Sequence, residues 1–355
     1  MFGRVIRLEA RRGPTEEPFF VTDELRVQVD MKMGITQQIS QASVTIYNLS
    51  LENARALCDA DLEPASTGDA KEVNDQSAVY VRVFAGYKDE ELSDGKPPLL
   101  LEGVVMNASS RRAVPNYITQ LFIVPLAARF LRHSKIYHNT VGEETLRKVI
   151  TDLSVKAGYL AEEIDICLTD DVANTKLRGR TFEFNPDFYS VMNKLAAEFQ
   201  FYYALRAKGI GIFPRLKDSK KDHDEFNYLQ KNGQGYRIVP EMLKGTPTVG
   251  VASISIPLVF DAAIFPGYVI DTSPVQGNKS GDVALPSEGL ADYSSMGSTL
   301  FYTRDIAKYT IFSTYMVKDV LHQIDNYSNT WVTVVVGTVP AAGDQDKNTV
   351  YIRQK

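Results

Sequence analysis

Three pairs of adjacent carboxylates are the residues of this sequence with the clearest catalytic potential: Glu143-Glu144, Glu162-Glu163 and Asp170-Asp171. Two carboxyl groups that face each other across a cleft, one with a raised pKa, can hydrolyse a glycosidic bond. Adjacent carboxylates also have a structural explanation, because the helix dipole stabilises negative charge in a first turn. We expect Glu143 and Glu144 to lie in such a turn and Asp170-Asp171 to lie in a polar stretch. The pairs are therefore interpreted as structural.

The four histidines are the next candidates, because imidazole serves both as a metal ligand and as a general base. His133 and His138 are five positions apart, which would leave two rings on a helix poorly aligned for one metal ion, and no third ligand follows nearby. His223 falls in a charged run that predicts a solvated loop. We expect His322 to form hydrogen bonds at a surface or an interface. The histidines therefore predict no metal site.

The two cysteines, Cys58 and Cys167, are far apart and belong to no Cys-x-x-Cys or Cys/His cluster. We expect two reduced thiols, one of them buried as a small apolar side chain. The sequence also lacks the nucleophile elbow, the HExxH zinc motif, the phosphate-binding loop and the dinucleotide fingerprint. We therefore expect a protein that is not an enzyme, with no catalytic residue, no bound metal and no cofactor.

The composition is that of a globular protein with more than one domain. The chain has 355 residues, of which 44% are hydrophobic and 23% charged, enough for two or three ordinary domains. Its net charge of −5 disfavours general binding to nucleic acid. The first residues, Met1–Leu8, lack the apolar core of a signal peptide, and no apolar run approaches the length of a membrane helix. We expect a protein made in a cytoplasm and outside any membrane.

Aromatic side chains are abundant, with 18 tyrosines and 17 phenylalanines, and they are dense around Phe182–Tyr203. We interpret most of them as core. Tyrosines beyond the needs of a core are typical of protein interfaces, and a sugar-binding platform remains the alternative. The basic pair Arg111-Arg112 is expected in a solvated turn, with a role in an interface as the alternative.

The first 130 residues predict a small β-barrel or sandwich, because apolar and polar residues alternate in short runs that turn signals separate. Ser50 is a predicted N-cap for a short helix over Leu51–Cys58, and the polar stretch Asp59–Gln76 is a predicted loop. The predicted strands cover Leu25–Met33, Ala42–Tyr47, Val79–Tyr87, Leu99–Val105 and Tyr117–Val124.

Residues 131–240 predict a mixed α+β segment. Thr140 and Glu143 have the spacing of a capping box before a helix that Gly158 can end. A second helix is expected from Asn185-Pro186, followed by a hairpin of Phe201–Leu205 with Gly209–Phe213.

Residues 241–355 return to β-strand patterns. A long stretch from Thr272 to Ser298 is rich in Gly and Ser and predicts a loop that is either functional or disordered. The predicted strands cover Gly250–Leu258, Phe265–Asp271, Tyr309–Val320 and Thr330–Val336. The sequence thus predicts a mainly β fold with some α, in three parts: 1–130 as a first β-barrel domain, 131–240 as a mixed middle domain and 241–355 as a second β-rich domain.

Four stretches, taken in order, resemble the baseplate hub proteins of contractile-tailed bacteriophages, including the tail protein D type. The stretches are Ala42–Ser50, ending in IYNLS; Val81–Tyr87 with Leu101–Val105, similar to an AGY…LFEG hairpin; Ile264–Ile270, similar to a strand entry with Pro-Gly; and Val320–Asp325 with Asn329–Thr333, similar to a closing V-x-H…W-x-T hairpin. Their order spans nearly the whole chain.

The resemblance implies a homotrimeric ring in which each subunit has two barrels like those of the tail tube. Such a ring adapts a sixfold tube to a threefold central spike and encloses the channel for DNA ejection. The implied partners are further copies of the chain, the central spike, and tail tube or tube-initiator proteins, with baseplate wedge and tape measure proteins as further candidates. No membrane and no sequence-specific nucleic acid are implied. The implied location is the virion baseplate, assembled in the bacterial host cytoplasm.

Two alternatives stay open on the sequence. The tyrosines would suit a tail-tip module that binds the cell wall or a carbohydrate. The carboxylate pairs and the loop from Thr272 would suit a peptidoglycan hydrolase.

Overall fold

The computed structural model of the chain is mostly β with few helices. It describes residues 3–13, 16–35, 40–58, 78–88, 95–127, 137–139, 143–178, 181–183, 188–215, 235–249, 253–272, 310–312, 314–338 and 349–351. The chain divides into two compact units. The first unit comprises Met1–Phe213 with His322–Trp331, and the second comprises Pro214–Leu321 with Val332–Lys355.

An antiparallel sheet forms the first part of the first unit. Its strands are β1 (Arg4–Arg11), β2 (Phe20–Thr22), β3 (Val27–Gly34), β4 (Gln41–Tyr47), β5 (Tyr80–Tyr87), β6 (Leu99–Ala113) and β7 (Asn116–Pro125). They are hydrogen-bonded in the order β2-β1-β5-β6-β7-β4-β3. Alternate residues are buried along β3, β4 and β7, so that one face of the sheet forms a core. The core-facing residues include Ile6, Leu8, Val29, Val44, Val83 and Leu121.

This sheet is rolled. Seven flat strands would hold β2 and β3 six spacings apart, or about 29 Å. Only residues 23–26 connect Thr22 to Val27, a path that spans at most about 18 Å. The connection is also turned back on itself, because Leu25 N donates to Thr22 Oγ1 at 3.3 Å. The two ends of the strand order must therefore lie close together.

The residues that follow strand β20 (Thr314–Asp325) are hydrogen-bonded to the start of β3 within the first unit. Asn326 Oδ1 accepts a hydrogen bond from Val27 N at 2.9 Å, and Asn326 Nδ2 donates to Leu25 O at 2.8 Å. Arg4 of β1 donates to Ser328 O at 2.9 Å. These bonds fix the chain between β20 and β21 (Trp331–Thr338) to the rolled sheet.

The remainder of the first unit contains the helices and short strands. The helices are α1 (Leu51–Cys58), α2 (Leu146–Ala157), α3 (Asp170–Ala173) and α4 (Phe188–Phe199). The strands are β8 (Tyr137–Asn139), β9 (Glu143–Thr145), β10 (Ile164–Ile166), β11 (Lys176–Arg178), β12 (Thr181–Glu183), β13 (Phe201–Leu205) and β14 (Ile210–Pro214). The apolar faces of α2 and α4 belong to one core cluster with β13 and β14.

The caps of these helices confirm part of the sequence prediction. Ser50 Oγ accepts a hydrogen bond from Asn53 N at 3.2 Å, so Ser50 caps α1 as predicted. Gly158 ends α2 with a φ of 115° in the left-handed region, also as predicted. The predicted capping box of Thr140 with Glu143 is wrong. Thr145 is the N-cap of α2, because Glu143–Thr145 are held extended as strand β9 beside β11.

A second antiparallel arrangement forms the second unit. Its strands are β15 (Gly235–Arg237), β16 (Thr248–Val249), β17 (Ser253–Val259), β18 (Val269–Asp271), β19 (Thr310–Phe312), β22 (Thr349–Tyr351) and most of β20 and β21. Strands β16, β17, β21 and β20 are neighbours in that order, and β18 pairs with β20 and, in parallel, with β15. Strands β19 and β22 pair separately.

Most predicted strands are confirmed, and one is corrected. Strand β1 was not predicted at all. Strand β6 continues to Ala113, so Arg111 and Arg112 lie in a strand and not in a solvated turn. The predicted loop Asp59–Gln76, the predicted helix start at Asn185-Pro186 and the predicted loop from residue 273 to Ser298 lie outside the described residues. The division at 130 and 240 stays a prediction.

Candidate assembly surface

In the hairpin of β6 and β7, called the β6–β7 hairpin below, β6 extends beyond the end of its neighbour β5, whereas β7 stays paired with β4 to Ile118. Strand β5 pairs with β6 only as far as Val104, whereas β6 and β7 pair to Ala113 and Asn116. Large apolar side chains are exposed along it: Met106, Val114, Tyr117 and Phe122, of which Val114 is 79% exposed. Exposed apolar residues grouped on one element are typical of an interaction surface.

Asn48 braces the end of this hairpin. Its backbone N donates to Tyr117 O at 2.8 Å, and its side-chain Oδ1 accepts from Tyr117 N at 3.0 Å. Its Nδ2 also lies 3.1 Å from Asn116 Oδ1. Asn48 has a φ of 56°, a region that asparagine adopts more readily than most residues. The hairpin is therefore held in place at its outer end by β4.

The β6–β7 hairpin is basic. Between Gly103 and Pro125 the sequence contains Arg111 and Arg112 and no acidic residue. Both arginines are exposed. The Arg112 guanidinium carbon lies 6.0 Å from the centroid of the Tyr117 ring, directly across the hairpin in the strand register.

The hairpin of β1 and β2, called the β1–β2 hairpin below, exposes two acidic residues at its turn, Glu16 and Glu17. Its arginines are half-buried: Arg4, Arg7, Arg11 and Arg12. Phe19 and Val21, two positions apart, are the exposed large apolar residues of this hairpin. The Arg12 guanidinium carbon lies 5.1 Å from the Phe19 ring centroid, and Arg12 also donates to Ala56 O at 3.0 Å.

The buried carboxylate of Glu9, in β1, forms ion pairs that stabilise the β1–β2 hairpin. Its side chain is 1% exposed and accepts from Arg7 at 3.0 Å, from Arg11 at 2.7 Å and from Lys96 at 2.9 Å. Burial raises the pKa of Glu9, but the hydrogen bonds from Lys96, Arg11 and Arg7 outweigh it and lower the pKa to about 2. Glu9 is therefore ionised over the ordinary pH range and holds three cations on β1 and beside it.

The two hairpins lie on opposite sides of the rolled sheet and at the same end of it. Around the rolled sheet, β2 lies three strands from β6 in one direction, through β1 and β5, and three strands from β7 in the other direction, through β3 and β4. Their common end follows from the register, because Arg11 lies opposite Tyr80 and Tyr80 lies opposite Val104. Both the turn after Arg11 and the extension of β6 after Val105 leave the sheet at this end.

The carboxylate pairs singled out in the sequence have structural partners. Glu144 forms an ion pair with Lys148 at 2.9 Å, and Glu143 forms one with Lys176. The expectation that both lie in a first helical turn is wrong, because they belong to β9. Glu163 Oε2 accepts from Leu160 N at 3.1 Å at the start of a short 3-10 helix, Ala161–Glu163.

Asp170 and Asp171 lie in the first turn of α3, where the helix dipole favours them. Within the described residues, no three His, Cys, Asp or Glu side chains are grouped so that they could hold a metal ion. Of the helices in the same part of the chain, none is long and apolar enough to cross a membrane.

The histidine predictions are corrected at one position. His322 is fully buried, so the prediction of a surface residue is wrong, and burial lowers its pKa to about 3. In strand β20, His322 lies two positions from Val320 and from Ile324, so the period of a strand would have indicated that it shares their core-facing side. His138 lies in β8, whereas His133 and His223 lie outside the described residues.

Neither Cys58 nor Cys167 forms a disulfide bond, and Cys167 is buried, as predicted. Burial, together with the neighbouring Asp165 carboxylate, raises the pKa of the Cys167 thiol to about 12. Cys58 is half-buried at the end of α1.

The fold is similar to those of solved phage tail proteins. The tail protein from Neisseria meningitidis MC58 has a TM-score of 0.50 and 8% identity, over 95% of this chain and 97% of that chain. The 43 kDa tail protein of prophage MuSo2 from Shewanella oneidensis has a TM-score of 0.50 and 9% identity, over 95% and 97% of the two chains.

A third similar structure comes from a related machine. It is a type VI secretion component of Escherichia coli with structural similarity to the T4 bacteriophage tail proteins gp27 and gp5. Its TM-score is 0.50 at 10% identity, over 98% of this chain and 80% of that chain. This chain therefore has a phage tail hub-like fold, the resemblance predicted from the order of its sequence motifs. No protein-family model matches the chain, and no curated protein matches it in sequence.

Proposed function

We propose that this chain is a structural subunit of a phage tail baseplate that assembles into a homotrimeric hub. The observation behind the proposal is a likeness in fold to tail proteins that extends over nearly the full length of both chains. In this role the ring adapts the sixfold tail tube to the threefold central spike and surrounds the channel through which DNA leaves. Its place is the tail of the virion.

The exposed surfaces of the first unit support a role in assembly. The β6–β7 and β1–β2 hairpins present exposed apolar side chains, together with exposed Arg111 and Arg112 on the first and exposed Glu16 and Glu17 on the second. Interfaces between subunits combine apolar groups with complementary charge in this way. A ring closed by contacts between two different surfaces of each copy leaves neither surface free for further growth.

We propose further that the hub has no enzymatic activity of its own. The carboxylates that first suggested hydrolysis are used in ion pairs and helix ends, as for Glu144 with Lys148 and Glu163 with Leu160. A zymogram on peptidoglycan tests this point, and clearing by the purified chain would contradict it.

The oligomeric mass tests the main proposal. We expect native mass spectrometry of the purified chain, alone or co-expressed with its spike, to give three times the 39.6 kDa mass of one chain. Electron microscopy of the same particle should show threefold symmetry. A chain that stays monomeric in both settings and is absent from purified tails would refute the proposal.

A further inference from the structure

We propose that residues His322–Trp331, called the strap below, are a closing device of the rolled sheet. When the strap is docked, it covers the seam at which the two ends of the strand order meet. When it is undocked, the edges of β1 and β3 at the seam are open, while the rest of the sheet stays folded. The proposal concerns the first unit alone and goes beyond the proposed function, because it does not require that copies form a ring.

The strap covers the β1 side of the seam where β2 is too short to reach. Strand β2 pairs only with residues 8–10 of β1, so that within the described residues it leaves residues 4–7 without a neighbour on this side. The strap lies at this point, because Arg4 Nη1 donates to Ser328 O at 2.9 Å. The Arg4 guanidinium carbon also lies 5.5 Å from the centroid of the Trp331 ring. The strap thus fills the part of the seam that β2 leaves open.

The β3 side of the seam is bonded to the strap by two side chains of the turn after β20. The Asn326 side chain accepts from Val27 N at 2.9 Å and donates to Leu25 O at 2.8 Å. The Tyr327 hydroxyl donates to Glu24 O at 3.1 Å. These three bonds join the strap to the connection between β2 and β3 and to the first residue of β3. The strap is therefore held on both sides of the seam.

Undocking of the strap leaves the sheet folded, because no strap residue takes part in the strand pairs that build it. The pairs β1–β5, β5–β6, β6–β7, β4–β7 and β3–β4 lie wholly between residues 4 and 125. A segment attached outside the main ladders opens at a lower free energy than the unit as a whole. The burial of Ile324 and Trp331 favours the docked state, because it removes apolar surface from water.

The position of the strap in the sequence explains what the device is for. The strap follows β7 by roughly 200 residues, which take on the order of 10–40 s to synthesise at about 5–20 residues per second. During that time the seven strands are present and their seam is uncovered. Uncovered strand edges are templates for pairing with other chains. Docking of the strap ends this exposure, so that the seam is protected only in chains that contain the strap.

Native-state hydrogen exchange tests whether the strap opens by itself. Two amides, called the docking amides below, report on it: Val27 N, bonded to the Asn326 side chain, and Asn326 N, bonded to Val27 O. Val105 N, which donates to Val79 O at 2.9 Å, reports on the body of the sheet. We expect the docking amides to share one exchange rate, at least about tenfold faster than that of Val105, because opening the strap costs less than unfolding the unit.

A conservative variant weakens the strap without a change of charge. Tyr327→Phe removes the bond to Glu24 O and should raise exchange at both docking amides about fivefold, the effect of one ordinary hydrogen bond, while Val105 keeps its rate. Tyr117→Phe is the matched control. It makes the same substitution at another exposed tyrosine, on the β6–β7 hairpin, and should leave all three rates unchanged.

Refolding of the full chain tests the order of closure. In pulsed hydrogen exchange, we expect the Val105 amide to be protected first and the docking amides to be protected together in a later phase. The fluorescence of Trp331, the single tryptophan, should change in the later phase, because Trp331 belongs to the strap and is buried in the folded protein.

The proposal has three ways to fail. A single exchange rate for all three amides in the wild type would overturn it, because the strap would then open only with the whole unit. An equal change of all three rates in Tyr327→Phe would also overturn it, and so would simultaneous protection of all three amides on refolding. None of these measurements depends on ring formation, so a chain that never assembles refutes the proposed function and leaves the strap untouched.

Discussion

Arg26 and Asp325 form an ion pair although 299 positions separate them in the sequence: Arg26 Nη2 lies 2.7 Å from Asp325 Oδ2. Tyr327 N donates to the other carboxylate oxygen at 2.9 Å. Burial raises the pKa of Asp325, but the hydrogen bonds from Arg26 and Tyr327 outweigh it, so the pKa lies below its usual value. One buried carboxylate thus holds the chain after β20 against the beginning of β3.

Asp325→Asn should lower the free energy of unfolding of the first unit by about 2 kcal/mol, because it removes the charge that both donors share. Trp331, the single tryptophan, is buried in the same unit and lies 6.0 Å from the Tyr87 ring, so its fluorescence reports this region. Urea titration followed at Trp331 measures the change. Asp23→Asn, at an exposed position, is the matched control and should change stability by less than about 0.5 kcal/mol. Equal stability of the two variants would contradict the argument.

Because the pKa of Glu9 is lowered in the folded protein, we expect the free energy of unfolding to decrease in acid. In the unfolded chain its carboxyl titrates near 4.5, and in the folded chain near 2. Below pH 4.5 the unfolded state therefore takes up a proton that the folded state does not, so the stabilisation from Glu9 is complete above pH 4.5 and disappears towards pH 2. Its full size is about 3 kcal/mol.

The comparison of wild type with Glu9→Gln isolates this effect from the other carboxylates. The difference in free energy of unfolding between the two proteins should be largest at pH 6 and should shrink steadily between pH 4.5 and 2. Glu17→Gln, at an exposed position, controls for the removal of one carboxylate. A difference that stays constant from pH 6 to pH 2.5 would refute the role of the Glu9 ion pairs.

His322 predicts a second dependence on pH at less acidic values. Its unfolded pKa is 6.5, whereas burial lowers the folded pKa to about 3. Below pH 6.5 the unfolded state binds a proton that the folded state refuses. Stability is therefore complete above pH 6.5 and falls by about 1.4 kcal/mol for each pH unit below it, down to about pH 3.

Two measurements check His322. The stability of His322→Gln should change less between pH 7 and pH 5 than that of the wild type. In proton NMR of the four histidine rings, the signal absent from His322→Gln should not shift over the same range. If the His322 ring titrates near pH 6, the buried neutral state is disproved.

The sequence predicted the elements that have a strong local pattern. The alternation in Leu25–Met33 matches β3, and Ser50 and Gly158 are the caps expected of them. The predicted N-cap at Thr140 was wrong. Its spacing to Glu143 is that of a capping box, but Glu143–Thr145 form a strand that pairs with β11. A contact with residues more than thirty positions away decided where α2 begins, and local spacing does not contain that information.

The surface proposed for assembly was predicted only in part, for two physical reasons. Strand β1 alternates Ile6, Leu8 and Ala10 with charged residues, a local pattern that indicates a strand, but the burial of Glu9 depends on Arg7 and Arg11 together with Lys96, which lies far along the chain. The outer half of β6 has no alternation of apolar and polar residues, since it is exposed on both faces and is held by its pairing with β7. The pattern of apolar residues therefore did not indicate that the strand continues beyond Val105. For that reason Arg111-Arg112 were expected in a turn.

At Gly209, in the turn between β13 and β14, neighbouring atoms leave no room for a side chain. At Gly95 there is room for one. Both have a positive φ, 83° and 70°, so alanine is strained at either position. A Cβ on Gly209 would lie 2.0 Å from Glu163 O, whereas a Cβ on Gly95 would meet nothing within 4 Å. Gly209→Ala should therefore cost at least about 3 kcal/mol of unfolding free energy and Gly95→Ala about 1 kcal/mol. Urea denaturation followed by circular dichroism measures both, and equal losses would mean that the close approach of Gly209 to Glu163 does not exist in solution.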